Sequence, residues 1–177
     1  MNPHEQFREE VKDNIAGLQQ DKALQATSQD WINDTAKHKY TYNFSWMGRP
    51  IIQFPQDMIA MQEIIWAVQP DIIVETGIAH GGSLVFYASM LELIGKGEVL
   101  GVDIDIRQHN REAIENHPMA KRIQMIQGSS IDPAIVAQVR QRVEGKKVLV
   151  VLDSNHTHEH VLEELRAYAP MASVGSY

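Results

Sequence analysis

From Pro70 onward, short runs of β-branched and apolar residues alternate with helical stretches, and this alternation leaves few architectures open. Strands that follow one another through helical crossovers build βαβ units and a parallel sheet. The runs are Ile72 to Thr76, Val99 to Ile104, Ile123 to Gln127 and Lys147 to Leu152. They are nearly continuous in apolar character, as strands covered on both faces have to be. The helices between them are also legible: Asp132 reads as an N-cap, Pro133 as the first helical residue, and Ile135, Val136, Val139 and Val143 as one apolar face. Gly145 ends that helix, Gly95 and Gly97 separate an earlier helix from the second strand, and His117-Pro118 closes the one after. The expected fold is α/β, a mostly parallel sheet with helices on both faces.

Upstream the text differs. Residues up to about 40 are polar, with Val11, Ile15, Leu18 and Leu24 at loose helical spacing, and predict a helical N-terminal arm. Lys39 to Pro55 is rich in aromatics and turn formers (Tyr40, Tyr42, Phe44, Trp46, Gly48, Pro50) and reads as a loop or cover segment. Tyr40 to Trp46 either roofs a substrate cleft or, more simply, packs on the sheet. Arm and cover form one expected region, residues 1–56, and residues 57–177 the core. Asp57 is the expected cap of a helix with Met58, Ile59, Met61, Ile65 and Val68 on its apolar face, stopped by Pro70.

Composition narrows the function classes. The chain carries 16 Lys+Arg against 23 Asp+Glu, a net charge of -7, with the basic residues scattered. Neutralising phosphates needs a clustered basic surface, so no nucleic-acid partner is expected. With 0 cysteines, thiolate metal sites and thiol chemistry are excluded. The first residues are charged where an export signal needs an apolar stretch, and the longest apolar runs are about a quarter of the roughly 20 residues that span a bilayer. A soluble, cytoplasmic protein without a membrane partner is expected.

The first strand runs into Glu75-Thr-Gly77-Ile-Ala-His-Gly81-Gly82-Ser83 and then an apolar helix. Glycines let backbone approach a ligand closely, and a helix N-terminus at a strand's carboxyl end has spare N–H groups for an anionic or carboxylate-bearing ligand. The spacing is not GxGxxG, and taken alone the turn also fits a tight strand-to-helix connection. Asp103 ends the second strand about twenty residues after Ser83, where a carboxylate accepts ribose hydroxyls. The plainer alternative is that Asp103 or Asp105 caps the next helix. Gly128-Ser129-Ser130 follows the third strand, small and polar where an adenine would lie, though such triplets are common loop text.

Taken together, Glu75-x-Gly77-x-x-x-Gly81-Gly82-Ser83, Gly101-Val-Asp103-Ile-Asp105 and Gly128-Ser-Ser130 resemble a class I S-adenosylmethionine-dependent methyltransferase with its Rossmann-like sheet. More narrowly, Glu75 to Ser83, Asp103 to Arg111, Gly128 to Asp132 and Leu152 to His160 resemble the cephalosporin hydroxylase family, which is similar to metal-dependent natural-product and rhamnosyl O-methyltransferases. The resemblance covers roughly residues 40 to 177. It implies that Glu75, Gly77, Gly81, Gly82 and Ser83 hold the methionine end of the cofactor, that Asp103 holds the ribose, and that Ser129 and Ser130 line the adenine.

The fourth strand ends in Asp153-Ser-Asn-His156-Thr-His158-Glu-His160. This is not HExxH, and His158 and His160 read most simply as solvated residues of a helix's first turn. Asp153 and His156 would project into the crevice that the glycine turn marks. The resemblance implies that Asp153 coordinates magnesium and that His156 removes the proton of an acceptor hydroxyl on a sugar or other small natural-product-like metabolite. It also implies further acidic ligands past Tyr177, so that the chain lacks the last strands of the sheet and the fourth strand becomes an exposed apolar edge. Another copy of the chain covering that edge, a homo-oligomer, is one expectation. Two rivals remain: an iron-dependent oxygenase using His156, His158 or His160 with a carboxylate, and a truncated, non-catalytic cofactor-binding module.

Overall fold

The computed structural model describes residues 2–177 and divides into two compact units, one reaching to Thr41 and the other running from Tyr42 to Tyr177. In the first unit, α1 (Pro3–Gln20) begins with a capping box: Asn2 Oδ1 accepts from the His4 N–H, and Glu5 Oε2 accepts from the Asn2 N–H. Asp21 caps α2 (Lys22–Ala36) by accepting the Leu24 N–H at 2.9 Å. The expected helices are present, yet neither buries a residue, and Phe7, Val11, Ile15 and Leu18 are all exposed.

The aromatic segment does not belong with the arm. It forms a hairpin, β1 (Phe44–Trp46) against β2 (Arg49–Ile51), turned by Met47 and Gly48 at positive φ. The hairpin lies in the second unit, so the boundary falls after Thr41 and not at residue 56. α3 (Pro55–Val68) follows, with Phe54 and not Asp57 at its N-cap position, because Pro55, with no N–H to leave unpaired, takes the first helical place. Ile65 and Val68 are buried and Met58 and Met61 pack half-buried against the core, as expected, while Ile59 is exposed and Ile64 packs inward instead.

The four parallel strands are β3 (Ile72–Thr76), β4 (Glu98–Asp103), β5 (Ile123–Gln127) and β6 (Val148–Leu152), in spatial order β5-β4-β3-β6. They agree with the sequence-based segments to within a residue at each end. Period-two alternation explains why the runs are apolar throughout. Ile73, Val99 and Leu149 face the core beneath α3 and α4 (Gly82–Ile94), while Ile72, Val74, Leu100, Val102 and Val148 pack against α6 (Pro133–Val143) and α7 (His158–Tyr168). Asp132 caps α6 through the Ala134 N–H at 2.7 Å, and Gly95 ends α4 at φ 88°, both as expected.

Chain order reverses beside β3, since β4 and β5 build outward on one side and β6 returns on the other. That reversal opens a crevice at the carboxyl ends of the strands. The outer edge of β6 is less bare than expected. Val148 N–H donates to Ser173 Oγ at 2.9 Å, Ser173 N–H to Val148 O at 3.3 Å, and Val150 N–H to Tyr177 O at 3.0 Å. Among the described residues, no helix is long and apolar enough to cross a membrane.

Candidate functional site

The loops after all four parallel strands surround one cavity of about 470 Å3. Gly77, Gly82 and Ser83 from the β3 turn, Asp103 from β4, Ser129 and Ser130 after β5, and Asp153 and His156 after β6 all line it. Glu75 and Gly81 stand behind this lining. Residues spread over about eighty positions of sequence are therefore brought to one place.

The turn between β3 and α4 admits no side chain at two points. Gly77 has φ +90°, and a Cβ there would lie 2.1 Å from the Asp153 carbonyl oxygen. A Cβ on Gly82 would lie 2.1 Å from the Pro50 carbonyl oxygen, so the hairpin backbone sits directly on the first residue of α4. Ala79 is held at φ +45°, a left-handed conformation that costs a residue with a Cβ about 1 kcal/mol. α4 starts from Gly81 without a side-chain cap, leaving first-turn N–H groups for a ligand.

Glu75 is 1% exposed, and one carboxyl oxygen accepts the Ser83 hydroxyl at 2.7 Å while the other has no partner. Burial pushes its pKa up to about 8, against the pull of the Ser83 hydrogen bond. Gln53 Oε1, Thr76 Oγ1 and the Tyr87 hydroxyl are further buried atoms without a partner. The Tyr87 hydroxyl neighbours both Glu75 and Gln53, so these buried polar atoms cluster beside the cavity that Ser83 and Gln53 line.

Asp103 caps no helix, and the N-cap position of α5 (Gln108–Glu115) is Arg107. Its Oδ2 accepts the Ile78 N–H at 2.7 Å and the Ala79 N–H at 3.4 Å, and Oδ1 accepts the Asp105 N–H at 3.0 Å. The carboxylate thus ties the glycine turn to the end of β4 and still lines the cavity. Oδ1, with one bond, retains acceptor capacity for a hydroxyl.

At the β6 end, Asp153 Oδ1 and His156 Nε2 are 3.0 Å apart, with side chains 49% and 76% exposed. Burial raises the Asp153 pKa, and the hydrogen bond with His156 opposes this. Among the described residues no three His, Asp or Glu side chains are grouped to hold a metal ion. His158 is exposed, as expected, but His160 is not a solvated residue. Its Nε2 lies 3.1 Å from both Ser130 Oγ and Ser154 Oγ and 3.5 Å from Oε1 of Glu164, itself 1% exposed. Ser154 donates to the same carboxylate at 2.6 Å, and Tyr168 OH donates to the Ser130 carbonyl at 2.8 Å. The three histidines face three different environments, which leaves the iron-oxygenase reading without a ligand set among the described residues. His160 and Glu164 are one helical turn apart, a spacing that was available in the sequence as a signal.

The fold is that of the Rossmann-like O-methyltransferases. A Staphylococcus aureus protein described as a caffeoyl-CoA O-methyltransferase superposes with a TM-score of 0.57 at 13% identity, over 94% of this chain and 69% of that one. CmcI without ligand gives 0.52 at 21% identity, over 70% of this chain and 51% of that one. CmcI with magnesium and S-adenosylmethionine gives 0.52 at 19% over the same shares. Residues 38–177 match the Rhamnosyl O-methyltransferase/CmcI family, and the chain belongs to that family. The rhamnosyl O-methyltransferase of Mycobacterium tuberculosis strain H37Rv is 35% identical over 153 residues, covering 79% of this chain and 59% of that protein. The Mycobacterium leprae protein of the same name is 33% identical over 152 residues, with 79% and 63% covered. The chain thus spans about three-fifths of the length of these curated relatives.

Proposed function

We propose that this chain binds S-adenosylmethionine and serves an O-methyltransferase acting on a hydroxyl of a sugar or small natural-product-like metabolite. The observation that carries the reading is the convergence of the glycine turn, Asp103, Ser130 and the Asp153–His156 pair on one cavity. In this reading the first-turn N–H groups of α4 and Ser83 take the methionine carboxylate end, with Glu75 behind them. Asp103 takes the ribose hydroxyls, and Ser129 and Ser130 border the adenine. Names and family membership of the relatives support the class of reaction; the acceptor is inferred from those names alone.

When bound, the cofactor supplies a methyl group on a positively charged sulfur, already activated for transfer. The protein's part is alignment and proton removal. With the His156 Nε2–H donating to Asp153 Oδ1, Nδ1 keeps a lone pair for the acceptor's hydroxyl proton. Transfer of that methyl to the deprotonated acceptor oxygen would leave a methyl ether and S-adenosylhomocysteine, with the acceptor's proton held on His156 Nδ1. Magnesium is a weaker fit. Asp153 is one carboxylate, short of an octahedral oxygen shell.

Calorimetric titration of S-adenosylhomocysteine into the chain, beside Asp103→Ala and with and without magnesium, tests the reading. Binding that is lost in the variant supports it; a folded wild-type chain that takes up no ligand rejects it. A second reading, a module that binds cofactor but completes no turnover by itself, is favoured by the three-fifths coverage of the relatives. Binding without transfer to any sugar hydroxyl would select it. Self-association keeps only part of its motive, given the bonds that cover Val148 and Val150; sedimentation measures it.

A further inference from the structure

Arg49 reaches from β2 into the turn that follows β3. Its Nε donates to the His80 carbonyl at 3.0 Å, its Nη2 donates to the same oxygen at 2.5 Å, and Nη2 also donates to Asn110 Oδ1 at 3.0 Å. Asn110, 5% exposed on α5, in turn donates its Nδ2–H to the Ala79 carbonyl at 2.9 Å. The carbonyls of Ala79 and His80 are therefore gripped from outside the sheet, while Asp103 grips the Ile78 and Ala79 N–H groups from within it. The Gly81 N–H closes the turn onto the Ile78 carbonyl at 2.7 Å.

The hairpin that carries Arg49 is itself anchored. The Trp46 indole N–H donates to Ser89 Oγ at 3.0 Å, and its ring stands edge-on to Phe86 at 4.9 Å. His117 Nε2 meets the Met47 carbonyl oxygen at 3.0 Å, and the Pro50 carbonyl packs on Gly82. Four contacts to α4 and to the loop after α5 hold a hairpin only three residues long on each side. Its one cation then meets two acceptors together, which suits a planar guanidinium fork and not an ammonium.

We propose that Arg49 is a positioning residue for the cofactor: with Asn110 it fixes the peptides of Ala79 and His80, and so holds the glycine turn in its ligand-binding shape before any ligand arrives. This rests on the cofactor reading above. Pre-organisation of this kind appears in affinity, since a turn that has to be ordered on binding loses that part of the binding energy.

The test titrates S-adenosylhomocysteine into wild type, Arg49→Ala and Arg49→Lys, and follows amide hydrogen exchange over residues 77–82 and over β3 and β4 without ligand. Arg49→Ala is expected to bind about 10- to 100-fold more weakly, roughly the worth of one hydrogen bond from a charged donor carried over into the order of the turn, with exchange faster in the turn and unchanged in the strands. Arg49→Lys, which keeps the charge and loses the fork, is expected to fall between and stands in should the alanine variant fail to fold. Equal affinity in wild type and a folded variant overturns the inference alone. So does faster exchange spread evenly over turn and strands, the mark of a merely structural role. A folded wild type that does not bind overturns the cofactor reading, and the inference with it.

Discussion

The two sides of the cavity are built differently. On the β3–β4 side the turn's backbone is tied: Asp103 accepts three backbone N–H groups, Arg49 and Asn110 hold two carbonyls, and Glu75 lies buried beneath Ser83. On the β6 side Asp153 and His156 are roughly half and three-quarters exposed and hold chiefly one another. One side is shaped before a ligand comes; the other is left to be shaped by it. A cofactor of fixed geometry rewards a rigid cradle, whereas an acceptor that has to enter, lose a proton and leave needs open, solvated groups.

The steepest way to break the contrast is Gly77→Ala. The turn has no room for a Cβ and its φ is positive, so a loss of several kcal/mol in stability is expected by chemical denaturation. A near-normal midpoint would mean that the turn is not rigid. Next comes Asp103→Ala. It leaves backbone donors unpaired at about 1–3 kcal/mol and removes the proposed ribose contact, so both melting temperature and S-adenosylhomocysteine affinity fall.

A finer probe is Glu75→Gln. The carboxyl titrates at about 8 in the fold, well above its ordinary value of 4.5, so the folded state keeps a proton that the unfolded chain releases. Its stability contribution is therefore greatest below about pH 4.5 and is lost as pH rises through about 8. The Gln variant has no such dependence. Its melting temperature relative to wild type is expected to climb between pH 5 and 8; a constant difference would show Glu75 ionised throughout. Smallest in stability is His156→Ala, expected within about 0.5 kcal/mol of wild type because the pair is exposed. Under the proposed function, cofactor affinity should stay unchanged while methyl transfer is lost. A stability loss as large as that of Asp103→Ala would erase the difference between the two sides.

Much of the core was legible because its signals are local or periodic. β3 to β6 show as apolar runs, Asp132-Pro133 marks the start of α6, and Gly95 the end of α4. The hairpin was not legible: its strands have three residues each, too few for a period to declare itself, and Met47 takes a left-handed conformation that its residue type does not advertise. Asp57 offered a plausible cap, and the Pro two residues earlier overruled it.

The sequence alone determined the α/β order, the placing of Glu75, Gly77, Asp103, Ser130, Asp153 and His156 at strand ends, and the family resemblance, because each is written within a few neighbouring residues. Only the tertiary structure decided that Arg49 holds the His80 carbonyl, that Asp103 is also a brace for the turn, and that His160 turns inward to Ser130 and Glu164. Arg49 is 31 residues from His80 and 61 from Asn110, and His160 is 30 from Ser130. A hydrogen bond depends on the distance and direction between two groups. Between residues so far apart in the chain, those are set by the packing of the elements that carry them.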